Sequence, residues 1–161
     1  MTICPAHLIT EWLARQHSHP DQAETEWVEQ GVALLPMGKD MNAVRLRGDL
    51  VHAVAATDDP KQVAAVLDET LGGPVIRDRL TAADVTYYAL INPHAAMVWD
   101  LEEQAPCFGK DTYLGVPAVD RVSPPGPYWV HPPRYDGDLC SPQAVRDLVI
   151  AGLNHLHPAE R

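Results

Sequence analysis

Gly109-Lys110-Asp111-Thr112-Tyr113-Leu114-Gly115-Val116-Pro117, followed by Pro124-Pro125-Gly126-Pro127-Tyr128-Trp129-Val130-His131-Pro132-Pro133, decides how this chain is read. Two short runs, 112–116 and 128–130, have the composition of strands. The prolines around them exclude helix, because proline lacks a backbone donor and clashes with the preceding turn. Aromatic side chains sit inside these runs although aromatics make up only 6% of the chain. The segment therefore reads as a rigid, extended platform that presents side chains to something else. Alternation along Tyr128-Trp129-Val130 sends adjacent aromatics to opposite faces, so one of the pair is expected to point away from the core.

Beyond the platform, Asp136-Gly137-Asp138 turns the chain and Ser141-Pro142 opens a final helix with an apolar stripe of Val145, Leu148, Val149 and Leu153. Ahead of it, 85–91 alternates as a clear strand. Residues 95–99 are expected to pair with it across Asn92-Pro93-His94, and 101–106 is acidic and irregular. Asp59-Pro60 starts a helix, with Gln62 placed to complete a capping box. Val63, Leu67 and Leu71 form its buried stripe, Gly72-Gly73 ends it, and 74–76 reads as a strand with Arg77-Asp78-Arg79 leading out. Nearer the start, 32–37 is a buried strand and 43–46 a second one with Val44 and Leu46 inward. Residues 49–56 are helix-like.

The first thirty residues read as a helical pair. Pro5 suits a first turn, and Leu8, Ile9, Trp12 and Leu13 share one face. His17-Ser18-His19 breaks that helix. A second begins at Pro20, buries Ala23, Trp27 and Val28, and stops before Gly31. The expected organisation is one domain over 1–161: helical pair 1–30, sheet-bearing core 31–140 and C-terminal helix 141–157. The expected class is α+β, a mixed central sheet with helices packed mainly on one face.

The chain has 161 residues and a formal net charge of −10, with 12 Lys and Arg scattered among 22 Asp and Glu. Nucleic-acid affinity rests on clustered cations that release counterions from phosphates, so this balance disfavours nucleotide or nucleic-acid partners. No apolar run approaches the roughly 18 residues of a membrane span, and no signal-like start is present, so a cytoplasmic protein without membrane contact is expected. Three widely spaced cysteines form no disulfide framework.

Motifs for chemistry are sparse. His17 and His19 with His7 and Cys4 lack the paired thiolates of structural zinc sites and read as a surface turn. Cys107 and Cys140 read as structural thiols, since a nucleophilic cysteine needs a lowered pKa and a nearby base. Asp58-Asp59, Asp100 with Glu102-Glu103, and Asp136 with Asp138 are acidic clusters that capping and turns explain. Neither a glycine-rich phosphate loop nor a Gly-x-Ser-x-Gly elbow occurs, and no cofactor is expected. Should Asp58, Asp100, Asp136 and Asp138 converge beside a cleft, an enzyme would follow; dispersal would leave a binding module.

The runs Gly31-Val32-Ala33-Leu34-Leu35-Pro36, 110–117 and 125–130 resemble those of small actinobacterial proteins related to the N-terminal domain of bifunctional primase–polymerases. The resemblance spans roughly residues 27 to 150 and implies a primase–polymerase-like, RRM-like two-layer core. Catalytic members of that family carry an aspartate–x–aspartate or aspartate–x–glutamate metal motif on a core strand. The runs 32–37, 43–46 and 85–91 contain no such pair, so no catalytic or metal residue is carried over. The expected function is a non-catalytic regulatory or accessory domain that binds a protein partner through 109–134. Lys110, Tyr113, Arg121, Tyr128, Trp129 and Arg134 are the expected contact residues, with Trp and Arg as anchors. On that reading Trp129→Ala loses the partner but leaves the thermal midpoint nearly unchanged. The alternative is a divergent primase–polymerase-like enzyme or a nucleotide- or nucleic-acid-binding module.

Overall fold

The structure, a computed structural model, describes residues 6–79 and 84–156; Cys4, Pro5 and His157 lie outside them. Helix periodicity, caps and prolines place the helices where the sequence puts them. Helices α1 (Ala6–Ala14) and α2 (Pro20–Gln30) form the N-terminal pair. Gly31 ends α2 in the left-handed region at φ 77°, and its N–H donates to the Trp27 carbonyl. Strands β1 (Val32–Pro36) and β2 (Asn42–Arg47) follow, then α3 (Gly48–Ala55) and α4 (Pro60–Leu71). Asp59 caps α4 by accepting from the Gln62 N–H at 3.2 Å. The expected reciprocal bond does not form, because the Asp59 N–H goes to the Thr57 hydroxyl at 3.1 Å.

The remaining elements are β3 (Val75–Arg79), β4 (Val85–Ile91), a short 3-10 helix (Pro93–Val98), β5 (Cys107–Phe108), β6 (Tyr113–Pro117), β7 (Tyr128–His131) and α5 (Pro142–Leu156). The main sheet has the order β5-β2-β4-β3-β7, and β1 and β6 form a separate two-stranded sheet. Every named strand pair is antiparallel, and an isolated bridge from Ile91 to Cys140 supplies parallel pairing. The α+β class is thus correct, whereas the expected mixed sheet is an antiparallel one. The expected partner strand at 95–99 is also replaced: β4 already has β2 on one side and β3 on the other. Asn92 instead starts the 3-10 turn, its side chain accepting from the His94 N–H at 2.8 Å and its carbonyl from Ala95.

Both faces of the main sheet are covered. Tyr87, Ala89 and Ile91 of β4 pack with Val44, Leu46 and Val75 against α3, α4 and α5. Tyr88 and Leu90 point the other way, with Ile76 and Trp129, into a second core built by α1, α2, β1 and β6. Helices mainly on one face was therefore half the arrangement. The small sheet explains the difference, since it buries Ala33, Leu35, Leu114 and Val116 and leaves Leu34 54% exposed. Val28, expected in the buried stripe of α2, is 86% exposed, because the stripe follows Ala23 and Trp27 and position 28 lies about 100° further round.

Two indoles fasten the small sheet to the rest. Trp27 Nε1 donates to the Val116 carbonyl and Trp129 Nε1 to the Pro117 carbonyl, each at 2.9 Å. The edges are blunted by different means. On β1 the outward Leu34 N–H is taken by the Glu26 carboxylate at 2.9 Å, and Pro36 has no N–H to offer. In the main sheet β5 has only two residues, and β7 runs between Pro127 and Pro132.

Helices α3 and α5 cross at Gly152. A Cβ built there would lie 2.6 Å from Leu50 Cδ2 and 2.9 Å from the Leu50 carbonyl oxygen, so only glycine allows this approach. Alanine is ordinarily favoured over glycine inside a helix by about 1 kcal/mol, and overpacking costs about 1–3 kcal/mol. Gly152→Ala is expected to lower the urea midpoint despite its helix propensity, and a raised midpoint would remove the crossing as a constraint.

Candidate functional site

Segment 109–134 does not form one presenting surface. Trp129 is 1% exposed and Tyr128 8%, so neither adjacent aromatic points to solvent. Alternation still holds, with Trp129 on the α1–α2 side and Val130 on the other; both faces happen to be covered. Trp129 is a core residue, and its loss would cost about 3–5 kcal/mol rather than leave stability untouched. Arg121 works as an internal strut, its Nε donating to the Pro127 carbonyl at 3.0 Å and its NH2 to that of Pro125 at 2.6 Å. Arg134 neutralises Asp138, which is 1% exposed, at 2.9 Å and also donates to the Gly72 carbonyl at 2.7 Å. Lys110 and Tyr113 stay exposed, Tyr113 at 58% beside Leu34 on the outer face of the small sheet.

The acidic clusters are dispersed. Asp100 pairs with Arg146 at 2.9 Å, Asp138 with Arg134, and Asp136 is exposed in its turn. Among the described residues no group of three or more His, Cys, Asp or Glu is arranged to hold a metal ion. His17 and His19 form the expected surface turn, the His19 N–H donating to His17 Nδ1 at 2.8 Å. Burial pushes the Cys140 thiol up to about 12, and its Sγ–H donates to the Pro74 carbonyl at 3.3 Å. Cys107 is also raised by burial, against the Asn42 amide contact that lowers it. Neither thiol has the depressed pKa of a nucleophile.

A different constellation emerges from the strand register. Tyr87 of β4 lies opposite Arg77 of β3, and Arg77 lies opposite Tyr128 of β7. The row faces α3 and α4, the same side as Val75. Arg77 NH1 donates to the Tyr128 hydroxyl at 2.8 Å, and the guanidinium carbon lies 5.7 Å from the centre of the Tyr128 ring. The Tyr87 hydroxyl lies 2.9 Å from His52 Nε2 of α3, with the two rings edge to face. None of the ion pairs among the described residues involves Arg77, and its Nε is buried without a hydrogen-bond partner. A charge placed on a core-facing strand position with only neutral partners is costly, and such groups concentrate at functional sites.

Two cavities flank Arg77 and share Pro124 and Tyr128. One, of about 270 Å³, lies between the N-terminal end of α4 and residues 122–130. Val63, Ala64, Val122 and Val130 make its walls apolar, Lys61 and Arg77 are its charged groups, and no acidic residue lines it. The other, of about 330 Å³, opens where Asp78 and Arg79 run past the start of β7 beside Pro125 and Gly126. The expected platform thus contributes a wall, held in place by the Arg121 strut. His131 ties that wall to α4, its Nε2 lying 2.6 Å from the Ala64 carbonyl oxygen.

Tyr87 and His52 stay uncharged at neutral pH. Burial raises Tyr87, with Arg77 opposing, so the phenol keeps its proton. Burial lowers His52 and Arg77 lowers it further, while Asp58 and Asp49 pull it back up. A neutral His52 pairs with the Tyr87 hydroxyl through Nε2, as acceptor or donor according to its tautomer. Sequence reading missed Arg77, Tyr87, His52 and Lys61. The available signal was an arginine two residues after Val75 on the same strand face.

Compared with family models, with curated proteins and with solved structures, the chain matches none, so the functional reading rests on the site's own geometry.

Because the folded His52 pKa lies below the ordinary value of 6.5, the unfolded chain takes up this proton first as pH falls. Its contribution to stability is present in full above that value and is lost as pH drops from there through the folded pKa. His52→Gln should therefore show a weaker loss of stability on acidification than the parent, measured by urea unfolding at neutral and mildly acidic pH. Equal losses would remove His52 as the group responsible.

Proposed function

We propose that this chain is a non-catalytic binding module of regulatory or accessory type, acting through the cleft that residues 122–130 wall off against α4. One observation carries the reading: Arg77 keeps an unneutralised charge beside an apolar cavity while every nearby partner is neutral. Arg77 is half-buried with its Nε fully covered, and an arginine so placed without a carboxylate gains no ionic stabilisation from the fold. Cavities with apolar walls and few polar groups are the usual form of ligand sites. In a proton–nitrogen NMR correlation spectrum, titration with small probes of mixed charge should shift the amides of Arg77, Tyr128 and Val130 together. Shifts confined elsewhere, or none, would remove the cleft. Arg77→Met should retain the fold, within about 1 kcal/mol of the parent or more stable, while the shifts are lost.

A second reading follows from the exposed pair Tyr113 and Leu34, with Lys110 on the same segment: contact with a protein partner through the outer face of the small sheet. A photo-crosslinking residue at position 113 should then give one discrete adduct in cells, and its failure to do so dismisses the reading. Kinship with primase–polymerase domains would supply a scaffold that keeps its layers without the metal motif. Heat on titrating manganese with a nucleoside triphosphate would instead favour the nucleotide-processing alternative.

A further inference from the structure

We propose that the cleft beside α4 takes a small organic monoanion, with a planar carboxylate on Arg77 and an apolar body between Val63, Ala64 and Pro124. The inference rests on the cleft being a binding site and adds the chemical class of its ligand. Arg77 offers planar donors: NH1 donates to the Tyr128 hydroxyl, and the Tyr87 hydroxyl is a second neutral acceptor beside it. Its Nε is buried without a partner, so a ligand in the cavity meets the terminal nitrogens of the guanidinium. A carboxylate is the group whose geometry matches a guanidinium and whose charge cancels it.

The surroundings select further. No acidic residue lines this cavity, in a chain with 22 Asp and Glu against 12 Lys and Arg. Lys61 at its rim adds a second positive charge. The acidic groups nearest the row are elsewhere: Asp78 lines the other cavity, and Asp58 acts on His52 and Tyr87 from the α3–α4 connection. The whole molecule nonetheless carries a net charge of −10, which repels multiply charged ligands more strongly than singly charged ones. A volume of about 270 Å³ has room for a one-ring acid.

A series of ring compounds tests this on the full chain by calorimetry and NMR. Benzoate should bind about tenfold or more tightly than neutral, isosteric benzamide, and phenyl phosphate and isophthalate should bind no tighter than benzoate. Arg77→Met should make benzoate and benzamide equal. Lys61→Gln, at an exposed position that leaves folding unaffected, should weaken benzoate severalfold and leave benzamide unchanged. Benzamide binding as well as benzoate would overturn the anion while leaving the cleft as a ligand site. Tighter binding of the dianions would overturn the selection for a single charge. Absence of binding by every member of the series would overturn the proposal, and the mixed-charge probe titration then decides independently whether the cleft binds anything.

Discussion

Two indole N–H groups reaching two consecutive carbonyls hold this molecule together. A two-stranded sheet is marginal in isolation, and the β1–β6 pair is fastened to the rest by Trp27 and Trp129 at Val116 and Pro117. Trp27 brings α2 and its core; Trp129 brings the main sheet. Trp129 also donates its backbone N–H to the Arg121 carbonyl at 2.8 Å, which closes the loop that Arg121 then braces from within. That loop positions Tyr128, and Tyr128 positions the Arg77 guanidinium. Core packing and cleft geometry are consequently one construction, with the aromatic at 129 serving the first and its neighbour at 128 the second.

Charge is spent unevenly across the structure. Arg47, Arg134 and Arg146 each face a carboxylate, and Arg121 braces backbone carbonyls. Those arginines are explained by folding alone. Arg77 is not, since it sits between two tyrosines on the inner face of the sheet and gains no ionic partner there. Natural proteins depart from good packing and pairing mainly at functional sites, and this is the departure that stands out here.

What could be read from the sequence was local. The stripes Val63, Leu67, Leu71 and Val145, Leu148, Val149 fixed two helices, Asp59 fixed a cap, and alternation along 85–91 fixed the central strand. Long-range pairing was out of reach. Arg77 and Tyr128 are 51 residues apart, and nothing in either segment announces that β3 and β7 are neighbours. The same gap hid the second covered face, which turned an expected exposed aromatic into a buried one. It also hid the fact that both edges of β4 were occupied, which left 95–99 free to coil into a 3-10 turn. The composition of 109–134 singled out a segment whose later part walls a cleft rather than forming one face.

The blunted edges have a bearing on how the molecule behaves in company. Strand addition needs a run of free donors and acceptors, and β1, β5 and β7 present proline, a carboxylate cap or too few residues to template one. Strand addition is disfavoured at these three edges. Association at those edges is left to side chains rather than to strand pairing.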